Sequence, residues 1–247
     1  MKNYRLHIQY DGTRYRGWQR QGVAAEDTIQ GRLEAVLARL TGEDVEIHGA
    51  GRTDAGVHAR CQVAHVRLEK DWEPAALLLK FNEYLPEDIR ILGIKQAGER
   101  FHSRLNATGK VYEYHMLKKN CYDVFARKYS WQMEKDLDTE RMRQAAQFLI
   151  GSHDFRGFCT KASKKKSTLR RLDAIDIRET ERDIFLRFEG NGFLYNMVRI
   201  LTGTLVEIGA GEREADSILE ILDTGERKRA GETAPAKGLT LLSVRYD

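Results

Sequence analysis

The chain of 247 residues is poor in cysteine, in proline and in unbroken apolar sequence, and each shortage excludes something. Its three cysteines, Cys61, Cys121 and Cys159, are odd in number, far apart and never arranged as C-x-x-C. Neither a disulfide framework nor a zinc knuckle is therefore expected. With only three prolines there is no Pro-rich linker, and no low-complexity segment takes its place. No stretch approaches the roughly 20 apolar residues that cross a bilayer. Met1-Lys2-Asn3-Tyr4-Arg5-Leu6-His7 contains no apolar run of signal-peptide length. The expectation is a cytoplasmic protein with reduced thiols and no membrane partner. Charge excess is slight too: 41 Lys and Arg against 37 Asp and Glu leave a net +4. That balance is compatible with nucleic acid without requiring it.

What is present is an ordinary globular composition, 41% hydrophobic, in a chain long enough for one large domain or two small ones. Tyr4 to Tyr10 alternates as a half-buried strand ending at Asp11-Gly12. Ile29, Leu33, Val36, Leu37 and Leu40 follow helical spacing, with Thr28 placed as N-cap and Gly42 just past the end. Strands are expected near Asp44–His48 and Cys61–Leu68, then a helix from Pro74 to Phe81 and a strand at Ile89–Ile94. The order is β-α-β-β-α-β. The second half repeats it, beginning with a strand at Lys110–Leu117 and a helix at Thr139–Leu149. A hairpin of Leu172–Glu179 and Ile184–Glu189 precedes helices at Phe193–Ile208 and Ala215–Leu222, and a strand at Thr240–Tyr246 closes the chain. The fold class is α+β, with two similar split β-α-β (ferredoxin- or RRM-like) halves, residues 1–105 and 106–247.

Chemistry concentrates in Gly49-Ala50-Gly51-Arg52-Thr53-Asp54-Ala55-Gly56-Val57-His58-Ala59, between two expected strands. Three glycines in eight residues allow positive φ and close approach of another backbone or a ligand. Arg52 stands two residues before Asp54; a cation that close holds a carboxylate ionised, below its ordinary range. Such an aspartate can act as a nucleophile at neutral pH without a separate base. Taken alone, a Gly-Arg-Asp loop reads first as a structural turn with a surface ion pair. It is no P-loop, since the Gly-Lys-Ser/Thr ending is missing, and Asp54 stands where a dinucleotide fingerprint needs its third glycine. His48, His58 and His65 fit no zinc spacing and read as hydrogen-bonded structural residues.

The loop Gly51-Arg52-Thr53-Asp54-Ala55-Gly56-Val57-His58-Ala59 resembles the signature of the tRNA pseudouridine synthase A (TruA) family. So do Tyr10-Asp11-Gly12 with Gly17-Trp18-Gln19-Arg20-Gln21, and Asn82 with Leu85-Pro86-Glu87-Asp88-Ile89. Phe101-His102-Ser103-Arg104, Ala107-Thr108 and Tyr112-Glu113-Tyr114 continue the likeness, as do His153-Asp154-Phe155 and Gly190 to Arg199. Thr233-Ala234-Pro235-Ala236-Lys237-Gly238-Leu239 ends it, so that it covers nearly the whole chain in order. Departures are Arg156-Gly157 before Phe158 and the lysine-rich run from Lys161 to Lys166.

The resemblance implies that the two halves join into a pseudouridine synthase fold with a mixed, largely antiparallel sheet. It also implies an isomerase converting uridine to pseudouridine at positions 38, 39 and 40 of the tRNA anticodon stem-loop. Neither metal nor small-molecule cofactor is expected, and the family works as a homodimer. By that likeness Asp54 is the nucleophile, and Arg52 fills the gap left by a flipped nucleotide, whose extrusion costs a few kcal/mol. Tyr112 offers a ring for the uracil to stack on and a hydroxyl near C5. Arg199 is an active-site arginine and Leu239 an apolar wall. Without the likeness, Tyr112 alternates with Tyr114 as a core strand face, Leu239 is core and Arg199 a surface residue.

Basic residues cluster at Arg14, Arg16 and Arg20, at Lys161 with Lys164, Lys165 and Lys166, and at Arg170-Arg171. Solvated loops are their default reading, and an RNA substrate makes them candidate phosphate contacts. Two other classes compete. A non-catalytic RNA-binding protein with two RRM-like halves fits the strand order but lacks an aromatic RNP1-type strand. A metal-dependent nuclease needs carboxylate clusters that the sequence does not contain.

Overall fold

The computed structural model describes residues 1–20, 27–160 and 167–247. The chain forms two compact units, Met1–Thr108 with Thr240–Asp247, and Gly109–Leu239.

In the first unit, strand β1 (Lys2–Tyr10) leads to helix α1 (Ile29–Thr41) and then to strands β2 (His48–Gly49) and β3 (His58–Leu68). Helix α2 (Pro74–Tyr84) and strand β4 (Ile89–Ala97) follow. β1 lies between β3 and β4, antiparallel to both. Its alternation buries Tyr4, Leu6, Ile8 and Tyr10, and the unit's core also takes Ile29, Leu33 and Leu37 of α1 with Leu77 and Phe81 of α2. Both ends of α1 follow their sequence signals. The Thr28 hydroxyl accepts the Gly31 N–H at 3.2 Å, and Gly42, at φ +75°, returns its own N–H to the Ala38 carbonyl. α2 starts at Pro74, with the Glu73 carboxylate accepting the Ala76 N–H, and runs on to Tyr84.

The strand expected at Asp44–His48 is a correction: only His48 and Gly49 pair, antiparallel to β3. Val45 and Ile47 are buried, which produced the alternation, but the Ile47 N–H donates to the buried carboxylate of Glu34 on α1 at 2.8 Å. A helix side chain therefore takes the place of a strand partner. The closing strand β10, Leu239–Arg245, runs parallel to β3, with Thr240 opposite His58 and Leu241 opposite Ala59.

The second unit holds β5 (Gly109–Leu117), β6 (Trp131–Gln132), α3 (Thr139–Gln147) and β7 (Gly151–Asp154). It continues with β8 (Leu169–Glu179), β9 (Asp183–Gly190), α4 (Met197–Gly209) and α5 (Ser217–Thr224). β5, β9, β8 and β7 pair antiparallel in that order, and β6 adds a short parallel contact to β5. The β8–β9 hairpin stands where the sequence placed it. α4, however, begins at Met197 instead of Phe193, because Asn196 sits at φ +60°. A left-handed residue cannot lie inside a right-handed helix, so Phe193 to Tyr195 belong to the approach. The chain is thus α+β, with mixed and largely antiparallel strand pairing. Among the described residues no helix is long and apolar enough to cross a membrane.

Candidate active site

Asp54 is half-buried in the turn between β2 and β3, and the backbone around it is tied down almost residue by residue. The Ala50 N–H donates to the Val63 carbonyl, and the fully buried Gln62 donates its amide to the Gly51 carbonyl at 3.1 Å. The Thr53 carbonyl accepts the Trp18 N–H at 3.0 Å, and the Thr53 hydroxyl is 2.8 Å from the hydroxyl of buried Tyr10. The Val57 N–H closes the turn onto the Asp54 carbonyl at 3.1 Å. Arg52 and Ala55, on either side, are exposed. So constrained a loop fixes the backbone position of Asp54, a form of preorganisation that a reacting group can use.

The N-terminal segment backs this loop, which gives its motifs a physical meaning. A Cβ on Gly12 would meet the Val57 carbonyl oxygen at 2.0 Å. Gly17 is at φ +96°, and a Cβ there would come within 2.6 Å of the Thr53 carbonyl oxygen. Both glycines are required by close backbone approach. The Trp18 indole covers Gly49, and His58 Nδ1 accepts the Gly12 N–H at 3.1 Å. Burial pushes the Tyr10 phenol well up, so it stays a neutral hydrogen-bonding group.

His48, His65 and His102 pack together next to Ser103. His65 Nδ1 accepts the Ser103 N–H at 3.2 Å, while the Ser103 hydroxyl donates to the His48 carbonyl at 2.6 Å. The ring centroids of His48 and His102 lie 5.0 and 4.6 Å from that of His65. Burial, then the neighbouring His102 and His48, lower His65 to about 4. Among the described residues no group of three or more His, Cys, Asp or Glu could hold a metal ion.

In the second unit Tyr112 lies on β5 and is buried, its ring T-shaped against Phe193 at 5.2 Å. Arg199 is in the first turn of α4. Its Nε donates to the Ala234 carbonyl at 2.7 Å and its Nη1 to Asn196 Oδ1 at 3.1 Å, while the Ala234 N–H returns to the Arg199 carbonyl. The C-terminal motif is thereby fastened to the helix that carries Arg199. Tyr114 secures the same motif from β5, donating its hydroxyl to the Pro235 carbonyl at 2.7 Å. Leu239 is buried. The departure at Arg156-Gly157 has local reasons: Arg156 pairs with Asp154 at 2.7 Å, and Gly157 lies against Ile221 of α5.

The basic candidates divide. Arg14 grips Asp88 through Nε and Nη2 at 2.8 and 2.7 Å, while Tyr15 donates to the other Asp88 oxygen. Burial and then Asp88 raise that tyrosine to about 12. Arg20 pairs with Glu34 at 2.9 Å, and Arg170 donates to the Ser167 and Leu169 carbonyls. Arg16 is exposed, as is most of the Arg14 side chain. Lys161, Lys164, Lys165 and Lys166 lie outside the described residues. Of the supporting residues, Tyr10, Thr53 and Asn196 fall inside motifs without a role of their own in the sequence reading, and Gln62 falls in none. A tyrosine at the end of an alternating strand and a glutamine inside one give no chemical signal. Asn196, the polar residue within the run Phe193–Val198, was the one legible irregularity.

Residues 7–106 and 145–247 match the model of a family described as tRNA pseudouridine synthase. A tRNA pseudouridine synthase A of Bacillus sp. (strain KSM-64) is 45% identical over 246 residues, covering 100% of both chains. A tRNA pseudouridine synthase A 2 of Bacillus cereus is 42% identical, and a tRNA pseudouridine synthase A of Thermoanaerobacter sp. 40%, again over 100% of each chain. These alignments span Tyr112, which falls between the two segments of the family match. With the Asp54 loop inside the first segment and Arg199 and Leu239 inside the second, the chain belongs to the tRNA pseudouridine synthase family.

Proposed function

We propose that this chain isomerises uridine to pseudouridine at positions 38, 39 and 40 of the tRNA anticodon stem-loop, with Asp54 as nucleophile. The observation that carries the reading is the Asp54 loop, matched to the family and held by Gln62, Thr53, Trp18 and Tyr10. The reaction breaks the C1′–N1 bond, turns the uracil and joins C1′ to C5. The proton on C5 is lost and N1 gains one, so no redox partner enters. Asp54 has three routes open to it: attack at C1′, attack at C6, or removal of a sugar proton. Arg52, exposed beside it, fills the space the extruded nucleotide leaves in the stem-loop. Tyr112 supplies a stacking face, worth about 1–3 kcal/mol per base, and a hydroxyl for proton movement at C5. Family likeness gives Arg199 the part of an active-site arginine and Leu239 that of an apolar contact for the base.

Arg16, the exposed part of Arg14, Arg20, Arg170 and the lysines at 164–166 are proposed to follow the phosphate backbone. The working form is a homodimer with the tRNA lying across both copies, in the cytoplasm. The test is release of tritium from tRNA labelled with [5-³H]uridine. An isomerase releases it as the C1′–C5 bond forms, whereas a protein that only binds RNA releases none.

A further inference from the structure

Asn196 adopts a conformation that most residues avoid, yet it does not use its side chain for the usual task of that position. It is the N-cap of α4 at φ +60°, and its side chain makes no capping hydrogen bond to the helix backbone. An N-cap residue ordinarily sits in the extended region and caps with its oxygen. Here the amide faces the other way: Oδ1 accepts from Arg199 Nη1 at 3.1 Å and Nδ2 donates to the Thr160 hydroxyl at 3.0 Å. A guanidinium only donates, so the amide oxygen must face Arg199 and the nitrogen is left for Thr160. With the Ala234 carbonyl on Nε, the Arg199 head is fixed from two sides by groups on different segments.

We propose that Asn196 is a positioning residue for Arg199, holding its guanidinium in the orientation the reaction needs. The proposal rests on Arg199 belonging to the active site. Glycine would serve the backbone at φ +60° better than asparagine, since it has no Cβ to crowd the left-handed conformation. The side chain is therefore what asparagine adds, and both of its ends are engaged.

The test separates side chain from backbone. Asn196→Gly keeps the backbone and removes both contacts. Asn196→Asp tolerates the same φ and keeps an acceptor for Arg199. Single-turnover rates at saturating enzyme should fall about 10–100-fold in Asn196→Gly, the scale of loss for a misplaced catalytic group. The melting temperature should hold or rise, and tRNA affinity should stay within about threefold, since loss of one hydrogen bond shifts an equilibrium only modestly. Asn196→Asp should recover most of the rate. In an Arg199→Gln background Asn196→Gly should cost almost nothing further, because residues acting through one another are not additive. A wild-type rate in Asn196→Gly overturns the proposal. So does an equal loss in Gly and Asp variants with a lowered melting temperature, or full additivity with Arg199→Gln. An Arg199→Gln enzyme of wild-type rate instead removes Arg199 from the active site, and the proposal falls with it.

Discussion

The Tyr10 hydroxyl lies 2.8 Å from the Thr53 hydroxyl, one residue before Asp54, and Tyr10 is only 3% exposed. The bond joins the last residue of β1 to the Asp54 loop, so a core strand ties down the backbone next to the proposed nucleophile. Tyr10→Phe keeps the packing and deletes the bond. A neutral hydrogen bond is worth about 0.5–1.5 kcal/mol, and an oxygen left buried without a partner costs about 1–3 kcal/mol. Urea unfolding should show a loss in that range, and the single-turnover rate should fall at least about tenfold as the loop loosens. Tyr10→Phe with Thr53→Val removes both hydroxyls and should regain part of the stability, since Gln62 still loses its contact with Tyr10, without regaining rate. Unchanged stability and rate in Tyr10→Phe would show that the bond does not hold the loop.

Gly17 and Gly42 form a matched pair for the close approach of the N-terminal segment. Both have positive φ, but a Cβ on Gly17 collides with the Thr53 backbone whereas one on Gly42 meets nothing within 4 Å. Gly42→Ala should cost only the left-handed backbone penalty, about 1–2 kcal/mol, and leave the rate alone. Gly17→Ala should cost more and lower the rate, because the Thr53–Ala55 backbone must move. Equal rates in the two variants, measured on folded protein, would disconnect Gly17 from the site.

His65 makes the first unit sensitive to acid. Its ring is buried beside His102, His48 and Arg67, and it protonates only near pH 4 in the folded chain, against about 6.5 when unfolded. Between those values the unfolded state binds more protons, so stability climbs with pH across the window and drains away as pH falls through it. The loss by pH 4 is on the order of 3 kcal/mol from this group. His102 is also lowered, by burial and then by His48, and acts in the same direction. His65→Gln keeps an acceptor for Ser103 without the titration. The stability gap between wild type and variant should shrink as pH falls from 7 to 4. A gap independent of pH would exclude His65 as the source.

Lys164, Lys165 and Lys166 are tested through salt. If all three neutralise phosphates, replacing them with Gln should flatten the slope of log K against log salt by up to about 2.7 on duplex backbone or about 2 on single-stranded RNA. Single-turnover rates at saturating enzyme should stay near wild type. An unchanged slope would make these lysines a solvated surface, and a collapsed rate would put them beside the reacting uridine.

The legible parts of the fold were those in which one chemical signal dominates. Thr28 and Gly42 mark both ends of α1 because a side-chain cap and a left-handed stop are local properties of the residues themselves. The strand at Asp44–His48 was misread because burial of Val45 and Ile47 mimics strand alternation, while the backbone partner, Glu34, lies on another element. α4 was begun too early because Phe193 and Leu194 extend its apolar run and Asn196 tolerates the left-handed region without being glycine. β7 has too little alternation to be read at all. The parallel pairing of β10 with β3 joins segments from the first and last thirds of the chain, and no local pattern encodes it. Asp54 and Arg52 stand out in the Gly-rich loop, while the roles proposed for them and for Tyr112 and Arg199 come from family likeness. The contacts of Thr53, Tyr10 and Gln62 around the Asp54 loop, and that of Asn196 with Arg199, are ones that only the folded chain displays.

The most direct measurement is tritium release by Asp54→Asn on [5-³H]uridine-labelled tRNA, alongside tRNA binding by the same variant. The amide preserves size and polarity but removes the charge and the nucleophile. The expected result is no detectable release under single-turnover conditions with affinity within several-fold of wild type, because an amide cannot replace a covalent or proton-removing carboxylate. Loss of a hydrogen bond alone would cost only about 0.5–1.5 kcal/mol, roughly a tenfold effect at most. Release within tenfold of the wild-type rate would contradict Asp54 as the nucleophile.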